Sequence, residues 1–586
     1  MTVVTDNEQE QKVVGEISAE ELMKHTAYIA EEDRLSGSEG EARAVEYFKD
    51  VMTDLGFNVD IKQVENFFSL PMSAAVTVIS PESKDLPCIT QSFSAATSPE
   101  GIEAELIYVP KGSDPQVKNK IVMREGLAAP APTWDMEQKG AAGQIWINSG
   151  DLPRNMCIAT IWGHPTPDTA HRIPKTPTIS LARDHGEYLK KLCAAGPVSI
   201  RLKTEVWTGF RQVPLAVAEI KGTLEPDSYV LFNGHIDSWH KGASDNGTAN
   251  ACILETARVL AQYRHQLRRG VRFAWWSGHS HGRYSGSNWY ADHNWEDLHR
   301  HAIVHLNVDS LGCRGATEYP DVECSAECFH LGKDVIEKYT GQSPGYQRIG
   351  HSGDNSFWGI GLPTLFQLLS RQPEEAGSSD SLIPGLAWFW HTEADTIDKI
   401  DPEILLKDTR VYMAALWRLC TAPVLPFDFE TTAQEFVSLL KALQDKADGA
   451  FDFGPALEKA EALNKRAAAL RSEAESVTQR VLSREWDRAG DQLDSAAVAL
   501  NGCLMKLSRI LIPVGYSAVD RFESDLAVPI PPLPRLQPVV QMAAMDRQSN
   551  TFKFLERKML RERNRICHAL IEAAELIDQT LNDLNF

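Results

Sequence analysis

The sequence of 586 residues predicts an α/β protein in which a three-layer domain is followed by a bundle of helices. Apolar strands alternate with helical segments between residues 207 and 425, and this alternation favours a largely parallel sheet covered by helices. After residue 426 the chain becomes rich in alanine and leucine at helical spacing, interrupted by the proline run VPIPPLPRLQP. We therefore expect an α/β domain and then a helical C-terminal bundle.

The N-terminal segment, residues 17–94, is predicted to be the first part of the same α/β domain. Apolar residues recur at helical spacing from Ala44 to Leu55, and Gly56 ends this pattern before polar and apolar residues alternate. The stretch that follows is rich in strand-forming residues and is punctuated by Pro and Gly. The segment thus predicts a helix followed by strands.

Composition and charge narrow the class of partner. Hydrophobic residues make up 43% and charged residues 24% of the chain, which is typical of a globular protein, and the net charge of −21 disfavours nucleic acid or an anionic membrane surface. The first residues lack a basic start and an apolar run, and no stretch has the ~18 to 20 uninterrupted apolar residues of a spanning helix. The ten cysteines are scattered. We expect a reduced, cytoplasmic protein without nucleic-acid or membrane partners.

Imidazole and carboxylate side chains recur where predicted strands end. His235 and Asp237 stand two residues apart at a strand end, so their side chains point the same way, and Asp245 follows in a turn flanked by glycine. Asp309 is expected on a strand with apolar neighbours, and His391 follows three aromatic residues. A Zn²⁺-like ion takes such ligands, and a carboxylate can bridge two ions. The pattern predicts a site for a divalent transition metal.

Residues 95–206 are predicted to be a separate β-rich unit. Its segments NKIVMREG, MEQKGAAGQIWINSGD and TPTISLARDHGEYLKKL follow the order strand, helix, Gly-Ala-x-Gly, strand, proline-led strand and helix. This order resembles the protease-associated domain. The resemblance implies a fold for the insert and says little about its function.

The order of motifs around the candidate ligands resembles metallopeptidase family 28, the co-catalytic zinc aminopeptidases and glutamate carboxypeptidases. The motifs are RLSGSEGE, Gly-x-His-x-Asp, Ser-Asp-Asn-Gly, a Gly-Ser loop after a strand, Asn-x-Asp and His-Thr-x-x-Asp-Thr. The likeness covers residues 17–425 and is greatest for the glutamate carboxypeptidase and transferrin receptor branch. It implies a zinc-exopeptidase-like domain at 207–425, a helical dimerisation domain at 426–586, and a homodimer.

The resemblance also implies a role for each matched residue. His235 and Asp309 would bind one metal ion, His391 would bind the second, and Asp245 would bridge both. Asp237 would orient the ring of His235, and a carboxylate in that position fixes the tautomer of its histidine and raises its basicity. The implied cofactor is zinc, as one or two ions.

The loop WWSGHSHGRYSGS departs from the family pattern, which has two adjacent glutamates there, a general base and a ligand of the second metal. Neither glutamate is present. If Gly282 is aligned with the family's glycine, His279 takes the base position and Ser280 the ligand position. If the following Gly-Ser pair is held fixed instead, Ser280 and His281 take them. The sequence leaves both alignments open.

The chemistry of the ligands favours His281 as the metal ligand, with His279 as the alternative, because imidazole binds these metals better than a serine hydroxyl does. A free His279 can accept a proton in place of the glutamate. Two histidines with one carboxylate also suit a single ion of Fe(II), zinc or Mn. The candidate catalytic residues are therefore His279, Asp237 and His281, and the candidate substrate-binding residues are Arg283, Tyr284 and His351.

Three functions remain open at this point. The first, which we favour, is a metal-dependent hydrolase acting on an amide-like bond of a small substrate or peptide. The second is a non-peptidase metalloenzyme, such as a lyase or a small-molecule amidohydrolase, which the missing glutamate base favours. The third is an inactive binding protein like the transferrin receptor. The retained acids count against the third, since buried acids without a cation are costly.

Overall fold

The computed structural model describes residues 7–113, 116–373, 385–483 and 490–584. The helices are α1 (Asn7–Gly15), α2 (Ala19–Ile29), α3 (Glu39–Asp54), α4 (Pro130–Gln138), α5 (Arg183–Ala195), α6 (Ala249–Gln262), α7 (Ser285–His293), α8 (Trp295–His301), α9 (Phe329–Thr340), α10 (Pro402–Thr421), α11 (Phe429–Lys446), α12 (Gly454–Leu482), α13 (Gly490–Tyr516), α14 (Val539–Met542) and α15 (Asn550–Leu584). The strands are β1 (Val59–Ser80), β2 (Lys84–Leu86), β3 (Ile89–Thr90), β4 (Ile102–Tyr108), β5 (Ile121–Glu125), β6 (Gly143–Ile147), β7 (Thr178–Leu181), β8 (Val198–Ile220), β9 (Glu225–His235), β10 (Arg269–Trp276), β11 (Ala302–Asn307), β12 (Asp321–Cys324), β13 (Gly345–Arg348) and β14 (Thr364–Leu365).

The strands form one mixed sheet in the order β13-β12-β14-β11-β9-β10-β8-β4-β5-β6-β7-β3, and β1 pairs with β8 and β2. Strands β10, β9, β11 and β14 are parallel to one another, as are β4 to β7. The antiparallel strand β8 joins these two parallel groups. The predicted α/β fold is therefore confirmed as a mixed sheet with many helices.

The long strands β1 and β8 connect the two halves of this sheet. They pair from Val59 opposite Ala218 to Ser80 opposite Ser199. The predicted boundary at residue 206 falls inside β8, so the chain passes from one half to the other within a continuous strand. The domain boundaries themselves stay predictions.

The central strands are buried on both faces because helices cover the sheet from both sides. On β9, Val230 and Phe232 pack into the cluster that contains α6, whereas Tyr229 and Leu231 pack into the cluster that contains α7 and α8. A nearly continuous apolar strand is typical of a parallel sheet covered in this way. The loops that follow β9, β10 and β11 consequently meet at one edge of the sheet.

The helices after residue 426 pack on one another and on the α/β core. Helix α12 packs against α11 and α15, and α13 packs against α15. Their apolar side chains join the same buried cluster as the α/β core, and Arg269 at the start of β10 donates hydrogen bonds to the carbonyls of Leu419, Ala422 and Pro423. The C-terminal helices therefore share one core with the sheet.

One helix among the described residues, Asp494–Tyr516, is long and apolar enough to cross a membrane by length and composition alone. The sequence criterion of uninterrupted apolar residues does not select it. In its most apolar stretch of 18 residues, 61% is buried against the rest of the chain. A buried core helix meets the same criterion of length and composition. Residues 1–6, which belong to the N-terminal stretch examined for a leader sequence, lie outside the described residues.

Candidate metal centre

The predicted ligands are brought together by loops at the edge of the sheet. His235 is the last residue of β9, Asp245 begins the turn before α6, and His279 follows β10. Asp309 lies two residues beyond β11 and not on the strand, which corrects the expectation from the sequence. Ser310, the next residue, has φ of 51°, so the chain leaves the extended conformation directly after Asp309.

The carboxylate of Asp245 lies between two imidazole rings. Its Oδ1 is 3.0 Å from Nε2 of His235, and its Oδ2 is 2.9 Å from Nε2 of His391. Oδ1 of Asp309 is 3.7 Å from the same nitrogen of His235. The predicted ligands His235, Asp245, Asp309 and His391 thus lie in one cluster.

The backbone fixes which ring nitrogens face this carboxylate. Nδ1 of His235 lies 2.8 Å from the carbonyl of Asp237, and Nδ1 of His391 lies 3.0 Å from the carbonyl of Asn155. A carbonyl only accepts, so each Nδ1 carries the proton and each neutral ring presents the lone pair of Nε2 to Asp245. Nε2 of His235 and Oδ1 of Asp245 are buried without a hydrogen-bond partner. While both rings are neutral, facing acceptors at this distance favour a cation between them.

Protonation of His235 is the response of the site when no ion is bound. Burial lowers the pKa of His235, but its contacts with Asp237, Asp245 and Asp309 outweigh burial and raise the pKa well above its ordinary value. For His391 the balance is reversed, since burial lowers the pKa more than Asp245 raises it. One proton therefore compensates only part of the negative charge in the cluster.

The carboxylate of Asp237 does not orient His235 as the resemblance implies. It lies 3.7 Å from the ring, and the backbone carbonyl of Asp237 makes the contact instead. The carboxylate accepts hydrogen bonds from Oγ of Ser36 at 2.7 Å and from the backbone N–H groups of His279 at 3.1 Å and Ser280 at 2.9 Å. Asp237 therefore holds the altered loop in place.

His281, the preferred ligand from the sequence, pairs with Asp237 and forms no ion pair with Asp245 or Asp309 in the described part of the chain. Its ring is fully buried, with Nδ1 3.0 Å from Oγ of Ser36 and 3.5 Å from Oδ2 of Asp237, and it packs against Trp239. Of the two histidines, His279 is the one whose ring nitrogen is grouped with a ring nitrogen of His235 and a carboxylate oxygen of Asp309. The geometry therefore places His279, and not His281, beside His235 and Asp309.

His279 lies beside the cluster and has a carboxylate partner of its own. Its ring stacks on His235 at 3.7 Å between centroids, and one ring nitrogen from each of these two histidines lies within 4.8 Å of a carboxylate oxygen of Asp309. Nδ1 of His279 is 2.9 Å from Oδ2 of the buried Asp354. Burial raises the pKa of Asp354, but the charge and hydrogen bond of His279 lower it below its ordinary value. Nε2 of His279 is left free to face the cluster.

Two further groups support the turn that carries Asp245. The carboxylate of Asp395 accepts from the backbone N–H of Ser244 at 2.9 Å and of Asp245 at 3.1 Å, and burial raises its pKa to about 7. Arg34, fully buried, donates to the carbonyls of Lys241 at 2.7 Å and Gly242 at 3.0 Å. Sequence reasoning assigned no role to these residues, although both stand in the quoted motifs RLSGSEGE and His-Thr-x-x-Asp-Thr.

Of the three predicted substrate-binding residues, two lie at the cavity beside the cluster. This cavity has a volume of about 320 Å³, and its lining includes Arg283, Tyr284, His279 and Asp309 but not His351. His351 is buried in a stack with Trp162 at 3.9 Å, and burial lowers its pKa to about 3. The ring is not part of the cavity lining, and the role of His351 in substrate binding stays a prediction.

The fold and the cluster together define an α/β protein with a histidine and carboxylate metal site at the carboxyl ends of its central strands. Comparison with known proteins then shows which family this part of the chain resembles. The model of peptidase family M28 matches residues 216–416, which span β9, β10, β11 and all four ligand candidates. The predicted resemblance to family 28 is confirmed for this part of the chain.

Individual relatives agree with this assignment. The chain is 28% identical over 277 residues to the "Probable glutamate carboxypeptidase VP8" of Zea mays, covering 42% of this chain and 37% of that protein. It is 25% identical over 296 residues to "Carboxypeptidase Q" of Xenopus laevis, covering 47% and 61%. The match thus spans less than two thirds of either relative.

A solved structure shares the fold. The zinc aminopeptidase BSAP of Bacillus subtilis superposes with a TM-score of 0.53 at 21% identity, covering 69% of this chain and 96% of that one. At this identity the likeness supports the fold alone.

Proposed function

We propose that this protein is a metal-dependent hydrolase that cleaves an amide-like bond in a small substrate or peptide. The observation that carries the proposal is Asp245, whose two oxygens face the lone pairs of His235 and His391 at 3.0 and 2.9 Å. Such an arrangement of acceptors is costly unless a cation lies among them. The curated relatives, named as carboxypeptidases and aminopeptidases, support the same reaction class.

The donor set fits a divalent transition metal, with zinc as the first choice. Neutral imidazole and carboxylate are the usual protein ligands of zinc, and they also suit Fe(II) and Mn. His235, Asp245 and Asp309 would hold one ion, and His391 with the other oxygen of Asp245 a second. A bound ion of this kind polarises a substrate carbonyl and makes water more acidic at neutral pH.

His279 takes the place of the missing glutamate as proton acceptor in this proposal. Its Nδ1 is bound to Asp354, so the other nitrogen, Nε2, faces the cluster and is free to accept a proton from the attacking water. The carboxylate of Asp354 behind the ring holds the imidazole in this orientation. The proton then passes from Nε2 to the nitrogen of the departing amine.

A direct assay tests the proposed reaction. We expect the zinc-loaded protein to release amine from a panel of N-acyl amino acids and short peptides, and we expect a chelator to abolish this release and added zinc to restore it. Release that persists in metal-free protein would contradict the proposal, as would a fully loaded protein inactive on the whole panel.

We further propose that residues 95–206 are a protease-associated domain and that the C-terminal helices support a homodimer. The supporting feature of the first is a separate apolar cluster between β4 to β7 and α5, with Ile121, Ile145 and Leu189 among its members. Light scattering tests the second. A mass near twice 65.1 kDa is expected, and a mass of one chain would contradict it.

A further inference from the structure

Arg283 is a cation without an acidic partner in the cavity beside the metal cluster. The side chain lines the cavity together with Asp245, His279 and His391. Within the described part of the chain it forms no ion pair, and its Nε is buried without a hydrogen-bond partner. The half-buried guanidinium thus has no acid of the described chain to neutralise it and is available to an anion from outside.

The other charged side chains around the same cavity are already neutralised. Arg348 forms an ion pair with Glu435, donates to the carbonyl of Gly515 at 2.8 Å and lies over the ring of Tyr516. Glu323 accepts from Nη2 of Arg371 at 2.8 Å. Outside the metal cluster, Arg283 is therefore the charge that an incoming molecule would meet.

The backbone and an aromatic stack hold Arg283 close to His279. Arg283 and Tyr284 have φ of 50° and 71°, a left-handed conformation that non-glycine residues adopt only where their surroundings fix it. The guanidinium lies 4.9 Å from the centre of the Tyr284 ring, which in turn packs edge-on against His279 at 4.8 Å and against Trp162 at 4.2 Å. One ring thus separates the cation from the proposed proton acceptor.

We infer that Arg283 binds the carboxylate of the substrate, so that the preferred substrates are small N-acylated acids. The inference rests on the proposed function and names its substrate class. A cavity of about 320 Å³ is near the lower end of the range of roughly 300–1,000 Å³ for small-molecule sites. Met156, Leu368 and Trp390 add apolar surface for a side chain. The planar guanidinium matches a carboxylate with two parallel hydrogen bonds.

A matched pair of ligands tests the inference by binding. Calorimetry compares N-acetyl-leucine with N-acetyl-leucinamide, which differ only in the carboxylate, on zinc-loaded and on metal-free protein. We expect the acid to bind at least about tenfold more tightly in both forms. No preference in the wild-type protein, or a preference that vanishes with the metal, would overturn the inference.

Variants assign the preference to Arg283. Arg283→Gln should bring the ratio of the two dissociation constants close to one, and Arg283→Lys should give an intermediate ratio because it keeps the charge but loses the two-pronged geometry. The exposed Arg264→Gln is the matched control and should keep the wild-type ratio. A ratio unchanged in Arg283→Gln, or equal to wild type in Arg283→Lys, would overturn the inference.

Acetate release from the same two ligands separates this inference from the proposed function. Hydrolysis breaks the acetamide C–N bond and adds water, giving acetate with leucine or leucinamide. A protein that binds the acid through Arg283 but releases no acetate from this pair or amine from the wider panel would refute the hydrolase and leave the anchor standing. If acetate is released but Arg283→Gln leaves the ratio of the two dissociation constants unchanged, the hydrolase stands and the role of Arg283 is refuted.

Discussion

Asp354 fixes the ring of His279 through one hydrogen bond, and this contact leaves Nε2 of His279 free to face the metal cluster. Asp354→Asn keeps the shape of the side chain and removes its charge. We expect the rate of hydrolysis to fall roughly 10- to 100-fold, as is typical when such a partner is changed, while the metal content stays near wild type. Steady-state kinetics and elemental analysis of the same sample provide the measurement. A loss of activity that only follows a loss of metal would assign His279 to metal binding instead.

His281 and His235 are predicted to respond differently to the same substitution. His281→Ala should retain metal, because the ring contacts Ser36, Asp237 and Trp239 and, among the residues that the structure describes, forms no ion pair with Asp245 or Asp309. It should lower the melting temperature because it leaves a buried cavity. His235→Ala should lose metal. Elemental analysis and thermal unfolding of both variants test this. Loss of metal in His281→Ala would restore the assignment made from the sequence.

The predictability of the site from sequence differs from one residue to the next. Residue type and spacing select His235, Asp245, Asp309 and His391, since strand ends of a parallel sheet meet at one edge. The choice between His279 and His281 depends on how the loop is held, including the backbone amides that bind Asp237. The spacing of residues in the sequence does not reveal these contacts.

At the scale of helices and strands, the sequence predicts the elements that are defined by a pattern of neighbouring residues. The apolar strands β9, β10 and β11 and the amphipathic helices between them are all found as expected. The pairing of β1 with β8 was not foreseen, because their residues lie more than 100 positions apart and the pairing depends on tertiary contacts. Asp354 and Asp395 were not selected as site residues for the same reason, since each supports a loop distant in sequence.

Glu327 ties the α/β domain to the first C-terminal helix, and it gives a pH-dependent prediction. Its Oε2 accepts from Oγ1 of Thr432 on α11 at 2.9 Å, and burial raises its pKa to about 7. The folded state therefore holds this proton more tightly than the unfolded state does, and stability is lost as the pH rises from about 5 through 7. Glu327→Gln removes this loss. We expect the variant to gain roughly 1–3 kcal/mol relative to wild type between pH 5 and pH 8.

Denaturant unfolding at several pH values measures this gain. Glu458→Gln, on the exposed face of α12, makes the same substitution at the surface and is the control for the loss of a carboxylate. If the difference in unfolding free energy between Glu327→Gln and wild type does not change with pH, Glu327 is ionised in the folded protein at neutral pH.

At the scale of the whole molecule, one apolar core joins the sheet and the C-terminal helices, while the acids converge at the strand ends. The net charge of −21 is a property of the whole chain and excludes few substrates. A substrate responds to the charges near it, and Arg283 places a positive group in its cavity. The resemblance to family M28 could be predicted from the sequence because the motifs of that family occur in order. The substrate could not, because a shared fold does not fix the chemistry of the altered loop.

Metal content per chain tests the central claim most directly. Elemental analysis of protein purified without chelators, then loaded with zinc and dialysed, should find at least one ion per chain in the wild type and a clear loss in His235→Ala. A wild-type protein that retains no transition metal under these conditions would contradict the account. The contacts of Asp245 with His235 and His391 would then not form a metal site.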